Sequence, residues 1–247
     1  MVSVSIIGHF AFGKKVLNGQ TVKTKIVADE LIKQFGEKEI IEFDTHGGKV
    51  TAAKAPFQVL KALRKAKNVI IFPANNGLRV YVPLLSFFRI FFKNRKLHYV
   101  VIGGWLPEFL KARKSLAKKL KRFDGIYVET NTMKRALEEQ GFTNIVVMPN
   151  CKDLKILKRE DLVYSSGEPY KLCTFSRVMK EKGIEDAVNA VIKVNEEAGR
   201  IVYTLDIYGQ IDSGQAQWFE NLQTMFPDYI KYGGLVNYDK SVDVLKN

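Results

Sequence analysis

The 247-residue sequence predicts an α/β chain built as two parallel-sheet domains, the second of them incomplete. Three observations point there. Short apolar runs alternate with helix-length amphipathic segments, the pattern of parallel strands covered by helices. A charged stretch carrying Ser165, Ser166, Gly167 and Pro169 separates two such series. The net charge of +13 is uneven: residues 1–150 hold 26 Lys+Arg against 11 Asp+Glu, and residues 151–247 hold 13 against 15. The domains are therefore placed at 1–150 and 170–247, with 151–169 as the linker. At 78 residues the second is shorter than the roughly 100–150 usual for a domain.

The elements follow in order. Val2 to Ile7 is the first strand. Gly8 to Lys15 nearly matches a phosphate loop of the form G-x-x-x-x-G-K-[ST]. Lys15 stands where the magnesium-holding hydroxyl belongs, and Asn18-Gly19 interrupts before a helix can start, so a nucleotide triphosphatase is excluded. No G-x-G-x-x-G is present, which disfavours a dinucleotide-binding fold of the usual kind. Asn18-Gly19-Gln20-Thr21 opens a helix to Phe35, ended by Gly36, with Val22, Ile26, Val27, Leu31 and Phe35 as its apolar face. Glu39 to Phe43 and Asn68 to Phe72 are the next strands, with a basic helix over about Phe57 to Lys67 between them.

Val80 to Phe92 is apolar but interrupted by Pro83 and Arg89, and it is too short to span a bilayer. Core packing is the default for Phe87, Phe88, Phe91 and Phe92. With Lys93, Arg95 and Lys96 beside them, a membrane-facing edge is the alternative. Strands follow at Tyr99 to Ile102, Ile126 to Val128 and Ile145 to Met148. Lys111 to Arg122 carries seven cations in twelve residues, with Leu110, Leu116 and Leu120 on one side. This reads as a basic amphipathic helix that lies on anionic lipid, binds nucleic acid or is simply solvated. Cys151 and Cys173 offer neither metal-ligand spacing nor a disulfide framework, so a reducing compartment is expected. Met1 leads straight into a strand, and no leader peptide is predicted.

In the second series Tyr170 to Phe175 is strand-like, and Ile184, Ala187, Val188 and Val191 recur at helical spacing. Between them lie Arg177, Lys180 and Lys182. Cations at a helix amino end oppose its dipole unless an anion joins them. The connection therefore reads either as a phosphate site or as a solvated basic turn. Tyr203 to Tyr208 is a strand ended by Gly209, Gln215 to Met225 a helix, Ile230 to Val236 a short strand with a glycine turn, and Ser241 to Lys246 the start of another helix.

Ser176-Arg177-x-x-x-x-Lys182-Gly183, followed by an amphipathic helix, resembles the donor-phosphate motif of the retaining family-4 glycosyltransferases, which have the GT-B fold of two Rossmann-like domains. The resemblance implies that Arg177 and Lys182 grip the diphosphate of a UDP- or GDP-linked sugar, with neither a metal nor a cofactor. Lys180 matches no family position. Pro149-Asn150 resembles the pair at which such chains leave the first domain. Ile230 to Val236 resembles the strand and turn against which the base packs, so Gly209, Gly234, Leu235 and Val236 are the implied donor-side or base contacts. Asn18, Gly19, Gln20 and Thr21 match the cleft loop near the donor phosphates and the acceptor.

Two departures qualify the match. The family's histidine after the fourth strand is replaced by Gly103-Gly104-Trp105, and His9, His46 and His98 take no catalytic role from it. The family's Glu-x7-Glu pair would fall beyond Asn247, so the sequence reads as a truncated or split enzyme with its catalytic residues unassigned. The expected activity is sugar transfer to a polysaccharide or lipid-linked acceptor. It would take place at the inner face of a membrane, in the cytoplasm, with Lys111–Arg122 on the anionic surface. The alternative is a non-catalytic or split-subunit partner, completed by a second polypeptide. Nucleic acid is not an expected partner, since no reading helix or aromatic platform motif accompanies the charge.

Overall fold

The computed structural model describes residues 1–14, 19–47, 49–150, 158–161, 167–236 and 240–245. The chain divides into two compact units, Met1–Lys152 and Asp153–Asn247.

The first unit alternates strand and helix: β1 (Val2–Gly8), α1 (Gly19–Phe35), β2 (Ile40–Asp44), α2 (Lys49–Lys65), β3 (Ala66–Ile71), α3 (Asn75–Phe88), β4 (Lys96–Val100), α4 (Leu106–Lys111), α5 (Lys114–Leu120), β5 (Gly125–Val128), α6 (Asn131–Glu138) and β6 (Ile145–Val147). Its six strands form one parallel sheet in the order β2-β1-β3-β4-β5-β6. Val4, Ile6 and Ile7 of β1 are all buried, as a strand covered on both faces requires. On one face Val59 and Leu63 of α2, Leu78 and Leu85 of α3, Leu110, Leu116 and Leu120 of α4 and α5, and Leu137 of α6 join Ile7, Ile71 and Ile126 in a single core. On the other, Ala28 of α1 packs with Val4, Ile6, Phe72 and Val100.

Four local expectations are corrected here. First, the buried positions of α1 are Thr21, Lys23, Thr24 and Ala28, while Phe35 is exposed and Val22 and Ile26 are only partly covered. The polar half turns inward, where Lys23 finds partners while the buried Thr24 hydroxyl has none. Lys23 Nζ meets Glu129 Oε1 at 3.1 Å and the Val101 carbonyl at 3.4 Å. Thr24 packs so closely on Gly8 that a Cβ on that glycine would lie 2.5 Å from the threonine methyl. Second, α2 begins at Lys49 and runs through Pro56 to Lys65. The stripe Ala55, Val59, Ala62 and Leu63 is fully buried and holds the helix together where proline alone would argue for a start.

Third, Lys111 to Arg122 is not one helix. Arg113 leaves the helical region at φ −129°, ψ 58°. Its guanidinium folds back over the Phe109 ring, 3.9 Å from the centroid, and donates to the Phe109 carbonyl at 2.8 Å. The expected apolar side survives the break, with Leu110, Leu116 and Leu120 all buried. Fourth, the phenylalanine run is divided. Phe88 and Phe92 pack on the core, whereas Phe87 and Phe91 are 56% and 69% exposed.

The second unit comprises β7 (Tyr170–Phe175), α7 (Ile184–Ala198), β8 (Tyr203–Tyr208), α8 (Ala216–Gln223), β9 (Ile230–Gly234) and α9 (Ser241–Leu245). Its strands form a parallel sheet in the order β7-β8-β9. Ile184, Val188 and Val191 of α7 and Phe219 and Leu222 of α8 pack on Leu205, Ile207 and Ile230. Asn195 of α7 is buried and well partnered: its Nδ2 donates to the Tyr203 carbonyl, and its Oδ1 accepts from the N–H groups of Val202 and Tyr203. β7 lies at the sheet edge with Tyr170, Leu172 and Phe175 about 40% exposed.

Candidate functional site

Open α/β sheets bind ligands beyond the carboxyl ends of their strands. In the second unit three such ends meet. β7 runs into Ser176 and Arg177, and a 3₁₀ turn over Lys180–Lys182 then leads through Gly183, at φ +70°, into α7. β8 ends at Tyr208, just before Gly209, and β9 ends at Gly234, and the Gly209 N–H donates to the Gly234 carbonyl at 2.9 Å. Gly209 also sits against the β7 exit. At its φ of +148° a Cβ would lie 1.7 Å from the Ser176 carbonyl oxygen, so no side chain fits. The Tyr232 hydroxyl donates to the Gly209 carbonyl at 2.8 Å and fixes the turn from below.

The cations of this rim are held differently. Arg177 Nη1 pairs with Asp212 Oδ2 at 3.1 Å, with the arginine side chain 55% exposed. Asp212 is positioned by its own turn, accepting from the Gly214 N–H, and by the bridge between Val178 and Ile211. Gln215 ties the 3₁₀ turn down, accepting from the Lys180 N–H at 2.8 Å and donating to Glu181 at 2.9 Å. That hydrogen bond holds the Glu181 carboxyl below its ordinary pKa. Lys180 Nζ stands 5.7 Å over the Trp218 ring. Lys182 is exposed and makes no ion pair with any described carboxylate.

Arg177, Gly209 and Gly234 are therefore brought to one rim, with Lys182 in the turn that starts there. Leu235, 56% exposed, and Val236 follow directly. Sequence reasoning missed Asp212 and Gln215. The Asp212-Ser213-Gly214 turn, a short step past a strand end, was the available signal.

The first unit has its own rim. Strand order reverses between β1 and β3, the place where connections diverge and leave a crevice. Gly19, Gln20 and Thr21 form the first turn of α1, while Asn18 lies outside the described residues. Gln20 Nε2 donates across that place to the Phe72 carbonyl at 2.9 Å. Asp44, at the end of β2, accepts N–H groups from Phe10, Ala11, Phe12 and His46. Burial pushes its carboxyl up, but these four donors together hold it below the usual range.

His9 Nδ1 lies 2.7 Å from Thr21 Oγ1, His9 Nε2 3.1 Å from His46 Nδ1, and His46 Nε2 3.1 Å from Lys14 Nζ. Burial first and the neighbouring His46 second lower the His9 pKa. An ammonium only donates, so His46 accepts at Nε2 and donates from Nδ1, and His9 in turn donates to Thr21. Nothing in the spacing of the two histidines hints at this pairing, because they stand on different loops. Among the described residues, no group of three or more His, Cys, Asp or Glu side chains is placed to hold a metal ion.

No family model matches the sequence, and no curated protein matches it. Solved structures do. The lipopolysaccharide outer core galactosyltransferase WaaB superposes over 100% of this chain and 71% of its own, with a TM-score of 0.61 and 11% identity. Anabaena HepE, solved with UDP and glucose, covers 96% of this chain and 70% of its own, with a TM-score of 0.59 and 12% identity. The fold is GT-B. S. aureus TarM, solved as a point variant with UDP among its ligands, matches 79% of this chain at a TM-score of 0.53 and 16% identity. This chain spans 38% of the length of TarM, and so covers only part of that protein.

Proposed function

We propose that this GT-B chain transfers a sugar from a UDP- or GDP-linked donor to a polysaccharide or lipid-linked acceptor, with retention at the sugar carbon as the family resemblance implies. The observation that carries this reading is Arg177 and Lys182 in the connection from β7 to α7, beside the glycine-lined ends of β8 and β9. A leaving diphosphate needs its developing charge met by preorganised donors. Arg177 is preorganised by Asp212 yet keeps donors beyond the one Asp212 occupies. Lys182 brings a charge unpaired among the described residues.

Gly209, Gly234, Leu235 and Val236 would lie along the donor, and Gly19, Gln20 and Thr21 along the acceptor side of the first unit. The first unit, 1–150, carries the positive charge, and Lys111–Arg122 supports placing it peripherally on an anionic inner membrane face. Among the described residues no helix is long and apolar enough to cross a membrane.

A second reading, a non-catalytic or split-subunit role, is supported by β7. An edge strand with three half-exposed apolar side chains invites a further strand, from a completing segment or a second polypeptide. Incubating the 247-residue chain with labelled UDP- and GDP-sugars separates the two. Release of the nucleoside diphosphate with sugar transfer supports the first reading. Donor binding without turnover, cured by adding a completing polypeptide, supports the second, and absence of any donor binding overturns both.

A further inference from the structure

The C-terminal end of α3 and the chain beside it form a surface that includes none of the site residues named above. Phe87 ends α3 beside Ile90 and Phe91 of the 3₁₀ turn that follows it; they are 56%, 62% and 69% exposed and, with the Phe87 and Phe91 rings in contact, make one apolar stripe turned to solvent. The stripe is braced from behind. Phe87 meets Phe91 edge-on at 6.0 Å and Phe88 edge-on at 5.2 Å, and Phe88 packs into the core.

Beside it opens a cleft of about 310 Å³ lined by Arg89, Ile90, Lys93, Lys119 and Arg122, among others. Arg89 is spoken for: it pairs with Asp124 at 2.9 Å and donates to the Arg122 carbonyl. Lys93, Lys119 and Arg122 make no ion pair with any described carboxylate, and Lys119 donates only to the Ser115 hydroxyl. Three cations without a described counter-charge around a cleft, next to exposed aromatic and branched side chains, match a ligand whose anionic group adjoins hydrocarbon.

We propose that this surface docks the protein on a bilayer by taking an anionic phospholipid headgroup phosphate into the cleft while Phe87, Ile90 and Phe91 enter the acyl boundary. The occupant is fixed by charge complementarity, since every charged side chain lining the cleft is a cation and the stripe offers no polar group. The inference rests on the membrane part of the preceding reading but moves the contact. The docking surface is not the basic stretch Lys111–Arg122 as a whole. It is the place where the end of that stretch meets the end of α3.

The test is binding of the full chain to vesicles of phosphatidylglycerol mixed with phosphatidylcholine, compared with phosphatidylcholine alone. Two variants remove equal charge: Lys93→Ala/Lys119→Ala/Arg122→Ala at the cleft, and Lys111→Ala/Lys114→Ala/Lys118→Ala away from it. A third, Phe87→Ser/Phe91→Ser, removes the apolar stripe, and because both rings are exposed it leaves the fold intact. The cleft variant is expected to lose affinity for the anionic vesicles about fivefold per cation. The control should lose much less, and the serine variant about tenfold on the same vesicles.

Equal losses in the two triple variants, with no loss on changing the phenylalanines, would leave general attraction between a basic protein and a charged surface and overturn the site. No binding of the unaltered chain to anionic vesicles would overturn the membrane reading itself. Tight binding to duplex nucleic acid, or self-association abolished by the serine variant, would assign the surface to another occupant and overturn the proposal.

Discussion

Asp44 shows how one side chain can set a loop. Its carboxylate takes four backbone N–H groups, three from the turn after β1 and one from His46. These bonds lower its pKa in the folded state, so the stabilisation is fully present above the unfolded value of about 3.9 and is lost as pH falls through the folded one. Asp44→Asn should cost the first unit about 1–2 kcal/mol at neutral pH, at the low end because the site is partly solvated. It should also flatten the loss of stability on acidification. Urea titrations of both proteins at neutral pH and near pH 3 would show this, and equal pH dependence would contradict it.

Arg177, Lys180 and Lys182 stand out in the sequence as cations ahead of a helix, and it is the motif resemblance that singles out Arg177 and Lys182 among them. Asp212 does not stand out, because its value lies in a partner 35 residues away. The same limit hid His9 and His46, which only the pairing of β1 with β2 brings together.

At the scale of elements, the strands and most helices could be read from apolar runs, since a parallel strand covered on both faces has no other way to be written. The helix α1 could be read at its observed bounds, but its buried face could not, because that face is mostly polar. Lys23 and Glu129 are nearly covered, with 9% and 13% of their side chains exposed, and each is the other's counter-charge there. Lys23→Met should therefore destabilise the first unit by about 3 kcal/mol, from the carboxylate left without its partner. A restoring Lys23→Met/Glu129→Leu double variant would recover most of it, and unfolding midpoints that do not recover would argue against the pair.

The break between α4 and α5 was equally hidden, since an arginine folding back on Phe109 leaves no trace in hydrophobic periodicity. In the second unit the rim depends on Gly209. Gly209→Ala puts a methyl group into the Ser176 carbonyl at a backbone conformation that L-residues rarely adopt. The β7 exit must then move, and Arg177 with it. Affinity for UDP should fall at least tenfold while far-UV circular dichroism changes little, whereas unchanged affinity would detach the rim from donor binding.

For the whole molecule, the order of elements and the uneven charge carried the fold class, and the GT-B superpositions agree with it. The proposed division of roles, a basic first unit and a second unit that would hold the donor, rests on the rim loop of β7. Titration calorimetry of UDP into the intact chain and into Arg177→Ala/Lys182→Ala tests that directly. Two charge-assisted contacts to a diphosphate are each worth about 1.5–3 kcal/mol, so the double variant should bind at least a hundredfold more weakly. Unchanged UDP affinity in a folded double variant would contradict the account.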